Sequence, residues 1–158
     1  MPILNCQLIK DGPLSLPHEI DEKFLQDLIS SHRQVLEAMH EISPHAMPYY
    51  EVKKKLIVLY EEIFQYLSLQ KSDRFERLRE ALVGEPDKLK IVNFLENDLK
   101  ELRITMYWFS DEHRADMGDM NPKNFIRDFQ ELSQSLVGRI KREEELLLPL
   151  LSGLQKKE

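Results

Sequence analysis

Asn124-Phe125-Ile126-Arg127-Asp128-Phe129, running on to Gly138-Arg139-Ile140-Lys141-Arg142-Glu143-Glu144-Glu145-Leu146-Leu147-Leu148-Pro149, is the stretch that decides the fold. Phe125, Phe129, Leu132, Leu136, Ile140, Leu147 and Leu150 recur at threes and fours, which puts them on one face of one long helix. Arg139 and Glu143 fall on that same stripe, four residues apart, where a core-facing helix ordinarily carries leucines. Burying ions costs on the order of several kcal/mol unless they are paired, so this charged pair demands partners.

The same periodicity extends backwards through the chain. A first helix is predicted from about His18 to Ile42, with Ile20, Phe24, Leu28, Val35, Leu36 and Met39 inward. Ser43-Pro44-His45-Ala46-Met47-Pro48 stops it. A second helix runs from about Tyr49 to Val83 with Leu56, Leu59, Ile63, Leu67 and Leu78 on its core face, ended by Gly84-Glu85-Pro86. A third, from about Pro86 to His113, turns Leu89, Val92, Leu95, Leu99, Leu102, Met106 and Phe109 inward. Arg114 to Met120 form a longer connection, and Asn121 as N-cap with Pro122 as first helical residue opens the fourth helix. Residues 1–17, with the turn signal Asp11-Gly12-Pro13, read as an N-terminal arm. Residues 18–155 are then an all-α domain, an antiparallel up-down-up-down four-helix bundle.

The totals agree. A chain of 158 residues, 42% of them hydrophobic, holds one core of ordinary domain size. Charged residues at 32% and only five glycines suit long solvated helices. A net charge of -6 disfavours direct nucleic-acid or anionic-membrane binding and suits a basic protein partner. One cysteine, Cys6, rules out an intramolecular disulfide or a thiolate cluster. With no signal core and no run of transmembrane length, a cytoplasmic protein is expected.

Each predicted helix interrupts its apolar stripe with polar residues: His32 on the first, Tyr66 and Gln70 on the second, Asn97 or Asp98 on the third, Arg139 and Glu143 on the fourth. At about 1.5 Å of rise per residue these fall at one level of a bundle. Four-helix bundles place metals there with inward carboxylates and histidines. Of the five histidines only His32 is placed as a ligand, since His18, His45 and His113 lie at loop edges or helix ends and His40 on a polar flank. The expected centre is a metal-free polar core of His32, Tyr66, Gln70, Asp98, Arg139 and Glu143, with Arg139 in the electrostatic place of a cation. A retained metal would fall to His32, Asp98 and Glu143. Glu144 and Glu145 read as a solvated face, Lys53-Lys54-Lys55 as solubilising, and Met106, Trp108 and Phe109 as core or interface. No phosphate loop, nucleophile elbow or Cys-x-x-Cys is present, so a non-enzymatic role is expected.

Two resemblances attach to these residues. Arg139-Ile140-Lys141-Arg142-Glu143-Glu144-Glu145-Leu146-Leu147-Leu148-Pro149 resembles the hemerythrin-like (HHE cation-binding) motif His-Ile-x-x-Glu-Glu-x-x-Leu-Tyr/Phe-Pro, with Arg139 in place of the histidine ligand. Tyr66-Leu67-Ser68-Leu69-Gln70 is similar to that family's second-helix motif with Tyr66 for histidine and Gln70 for glutamate, and Ser31-His32-Arg33 resembles its Glu-His-Arg. The resemblance covers roughly residues 25–152 and implies a di-iron bundle, here with its ligands changed.

The chain is also similar to the Rsd/AlgQ-like regulators, bundles that bind the primary sigma factor of bacterial RNA polymerase. That similarity rests on Tyr66-Leu67-Ser68, Phe75-Glu76-Arg77, the Arg139 to Glu143 step and Leu146-Leu147-Leu148, whereas Leu28 stands where those regulators carry tryptophan. Together the resemblances imply a regulatory binding protein with a sigma factor as partner and no cofactor. The alternative they imply is an iron-binding or oxygen-sensing protein with a reduced ligand set.

Overall fold

A computed structural model describes residues 18–114 and 122–156, so the predicted arm, most of the Arg114–Met120 connection and the Asn121 cap lie outside the described residues. All regular structure among the described residues is helical: α1 (His18–His40), α2 (Tyr49–Ser68), α3 (Ser72–Ala81), α4 (Pro86–Glu112), α5 (Pro122–Arg142), a π-helical turn (Glu143–Leu147) and α6 (Leu148–Lys156).

The single helix expected from Tyr49 to Val83 is two helices. After Ser68 the ladder tightens, with Leu69 and Gln70 donating to the carbonyls of Tyr66 and Leu67, and Lys71 is fully extended at φ -83°, ψ 155°. Neither glycine nor proline marks this break. It is held from outside: Arg103 Nη2 donates to the Gln70 carbonyl at 2.9 Å and adds a second donor to the Leu67 carbonyl at 3.1 Å. Gly84, at φ +93°, adopts the left-handed backbone that closes the next segment, and Pro86 restarts the chain as α4.

The last helix is also not one uninterrupted α-helix. Leu148 N–H bonds to the Glu143 carbonyl, five residues back, and the turn between them is π-helical.

Among the described side chains, which do not include that of Ile20, the predicted apolar stripes are the core. Leu28, Val35, Leu56, Leu59, Ile63, Val92, Leu95 and Leu136 have no exposed surface. Leu36 and Leu89, expected inward, are half-buried at the edges of their stripes. Between elements, Glu41 after α1 pairs with Lys55 of α2 at 3.0 Å. Tyr60 Oη of α2 donates to the His113 carbonyl, just beyond α4, at 2.6 Å. Phe109 of α4 packs its ring at 5.9 Å from Phe125 and 6.4 Å from Phe129 of α5. The Arg74 guanidinium of α3 lies over the Phe24 ring of α1 at 3.8 Å, and Arg79 meets Glu96 of α4 at 2.8 Å.

Candidate functional site: a buried guanidinium and its acceptors

Arg139 has no exposed surface and is among the largest fully buried side chains. Its position follows from the stripe: it lies between Leu136 and Ile140, which are both buried, so the helix carries it inward. Four acceptors receive it. Nε donates to Glu143 Oε2 at 2.7 Å, Nη1 to the Leu95 carbonyl at 2.6 Å and to Asp98 Oδ2 at 3.1 Å, and Nη2 to Gln70 Oε1 at 2.9 Å. Gln70, in the break after Ser68, is buried and meets Arg139 there. Burial alone favours losing the proton, but the carboxylates of Glu143 and Asp98 outweigh it and hold the guanidinium above its ordinary pKa.

Glu143, the first residue of the π turn, spends its other oxygen on His32: Oε1 accepts from Nε2 at 2.6 Å. His32 Nδ1 lies 3.3 Å from Glu144 Oε2 without hydrogen-bond geometry. The Tyr66 ring stands edge-on to His32 at 5.7 Å. Burial, aided by the Glu143 charge, pushes the Tyr66 phenol well above its ordinary value, so it remains a neutral hydroxyl. That hydroxyl and Gln70 Nε2 have no hydrogen-bond partner among the described residues.

Asp98 faces Arg139, whereas Asn97 is exposed. Arg142 holds Asp98 from the solvent side in a bidentate clasp, Nε to Oδ2 and Nη2 to Oδ1, both at 2.9 Å. Gly138, one turn earlier, leaves room for it, since a Cβ there would lie 3.2 Å from Arg142 Nη1. Two guanidinium groups and two carboxylates thus balance in formal charge.

The iron set implied by the hemerythrin-like resemblance does not fit this arrangement. Both Glu143 oxygens are engaged, Asp98 is clasped between Arg139 and Arg142, and Arg139 stands between Asp98 and Glu143. A cation brought to His32, Asp98 and Glu143 would share its cavity with a fixed positive charge. Among the described residues no group of three His, Cys, Asp or Glu side chains is arranged to hold a metal ion.

Sequence reasoning reaches the six inward residues but misses Arg142 and the Leu95 carbonyl. The Gly138 to Arg142 spacing is the one trace of the former. It also misses His113, which is buried against Phe109 and Phe125 with Nε2 at 2.8 Å from Asp128 Oδ2. His40 and His45 are exposed, as are Glu144 and Glu145.

Partial burial pushes the Asp128 carboxyl up, but hydrogen bonds from His113 and Arg127 outweigh it and leave it below the usual range. A carboxyl depressed in the folded state adds stability above its unfolded pKa, about 3.9, and loses it as pH falls through the lower folded value. Asp128→Asn is therefore expected to destabilise near neutral pH, with the difference from wild type shrinking below about pH 4. Urea midpoints measured across that range check this.

No family model, no curated protein and no solved structure matches this chain.

Proposed function

We propose that this chain is a non-enzymatic regulatory binding protein on a hemerythrin-like bundle whose di-iron place is taken by Arg139. Its four long helices α1, α2, α4 and α5 run up-down-up-down. Support for this topology comes from the order of the contacts: Glu41 with Lys55 and Phe109 with Phe125 join the end of one helix to the start of the next. Between α2 and α4, Tyr60 meets residue 113 while Leu67 meets Arg103, so the two helices advance in opposite directions.

The observation that carries the binding role is the outward face of α4. Ile104, Tyr107 and Trp108 are each more than half exposed, and the two aromatic rings meet edge-on at 5.7 Å. Exposed tryptophan and tyrosine side by side are the residue types that dominate binding energy at protein interfaces. Glu101, Asp111 and Glu112 are exposed within a turn or so of them, which fits a partner presenting basic residues. The Rsd/AlgQ-like resemblance names that partner as a bacterial sigma factor.

The test is titration of the purified protein with the primary sigma factor. Trp108→Ala is expected to weaken binding by about tenfold or more. Full affinity in that variant would remove the α4 face, and no binding by the wild type would remove the sigma factor. Stoichiometric iron in the purified protein, lost on mutating His32 and Glu143, would replace this reading with that of a metal sensor.

A further inference from the structure

The outward side of α2 carries a second apolar stripe, separate from the α4 face. Tyr50, Lys54, Ile57, Glu61 and Phe64 follow one another at steps of four, three, four and three, so they form a line along the helix. Tyr50 is 64% exposed, Ile57 48% and Phe64 55%, values far from those of the core. Lys54 and Glu61 are exposed, and neither has an ion-pair partner among the described residues.

The order of these residues is self-complementary. Ile57 stands at the centre, with an aromatic residue seven positions away on each side. The charge before it is positive and the charge after it negative. An antiparallel pairing of two such helices about a two-fold axis at Ile57 sets Ile57 against its own copy and Tyr50 against Phe64. The same axis sets Lys54 opposite position 60 of the other copy, one residue or about 1.5 Å from Glu61 and within reach of its carboxylate. A parallel pairing would instead stack Lys54 on Lys54 and Glu61 on Glu61, which is repulsive. The register that brings the apolar residues together thus falls within one residue of the register that pairs the charges. We propose that this face of α2 is a two-fold interface whose occupant is a second copy of the chain. This inference stands on α2 alone and does not depend on the partner assigned to α4.

Sedimentation of the full chain, over a concentration series, tests it. The wild type is expected to reach dimer mass by about 100 μM. Ile57→Glu places two like charges at the axis and is expected to weaken association by about a hundredfold. Lys54→Glu and Glu61→Lys are each expected to weaken it by about tenfold, and the double variant Lys54→Glu/Glu61→Lys to restore the dimer. All three positions are exposed, so helical content by circular dichroism should match the wild type in every variant. A wild type that stays monomeric, an Ile57→Glu variant that still dimerises, or a double variant no better than the singles overturns the proposal.

Discussion

Replacing Arg139 with leucine is expected to cost the fold about 3–5 kcal/mol, the range for removing one partner of a buried ion pair. The loss is not that of the arginine contacts alone. Glu143 would remain an anion with no exposed surface and only His32 beside it, Gln70 Oε1 would lose its donor, and the Leu95 carbonyl would keep only its helical one. Leucine fills part of the volume and satisfies none of these acceptors. Against a total stability of roughly 5–15 kcal/mol this is a large fraction, and for a domain of this size the thermal midpoint should fall by roughly 10 °C or more. Arg139→Lys should recover only part, because an ammonium cannot reproduce a planar fork spanning four acceptors. A midpoint unchanged in Arg139→Leu would show that the buried guanidinium is not what the core depends on.

Glu143→Leu is expected to be comparably severe, about 3–5 kcal/mol, because it leaves the buried Arg139 with Asp98 as its one remaining carboxylate. Arg139 Nε would lose its closest carboxylate, and His32 Nε2 its acceptor at 2.6 Å. The combination Arg139→Leu/Glu143→Leu should then cost clearly less than the sum of the two, with a coupling of about 1–3 kcal/mol. Asp98 would not be orphaned in the double variant, since Arg142 still clasps both of its oxygens. Denaturant unfolding of the four proteins closes the cycle. Additive losses would mean that the two side chains act through separate neighbours and not through each other.

Much of the helical framework was legible because it follows from local periodicity. Phe125, Phe129, Leu132, Leu136, Ile140, Leu147 and Leu150 all lie in the core where their spacing places them. The break after Ser68 was not legible, because the side chain that bonds its carbonyls is more than thirty residues away. Arg103 bonds the carbonyls of Leu67 and Gln70, while Leu67, Phe75 and Leu78 remain buried on either side and carry the apolar pattern through. The inward polar residues stood out because each interrupts an apolar stripe. Arg142 did not, since it lies off the stripe and reaches Asp98 through its length and the space beside Gly138. His113 looked like a helix end, and its burial comes from Phe109 and Phe125, on two different helices.

The π turn from Glu143 to Leu147 has a consequence for chain length. A π turn holds one residue more than the α-helical turn it replaces. The faces before and after it are already in phase with the core, as the burial of Ile140 on one side and of Leu150 and Leu151 on the other requires. Counted at about 100° per residue, Ile140, Glu143, Leu147, Leu150 and Leu151 share one face, so the chain has no residue to spare in this turn. Removing Glu144 or Glu145 would shorten that count by one and turn Leu147, Leu150 and Leu151 by about 100° in a helix closed as ordinary α. A deletion one turn earlier would rotate every later side chain by about 100° and drive the aliphatic run out of the core.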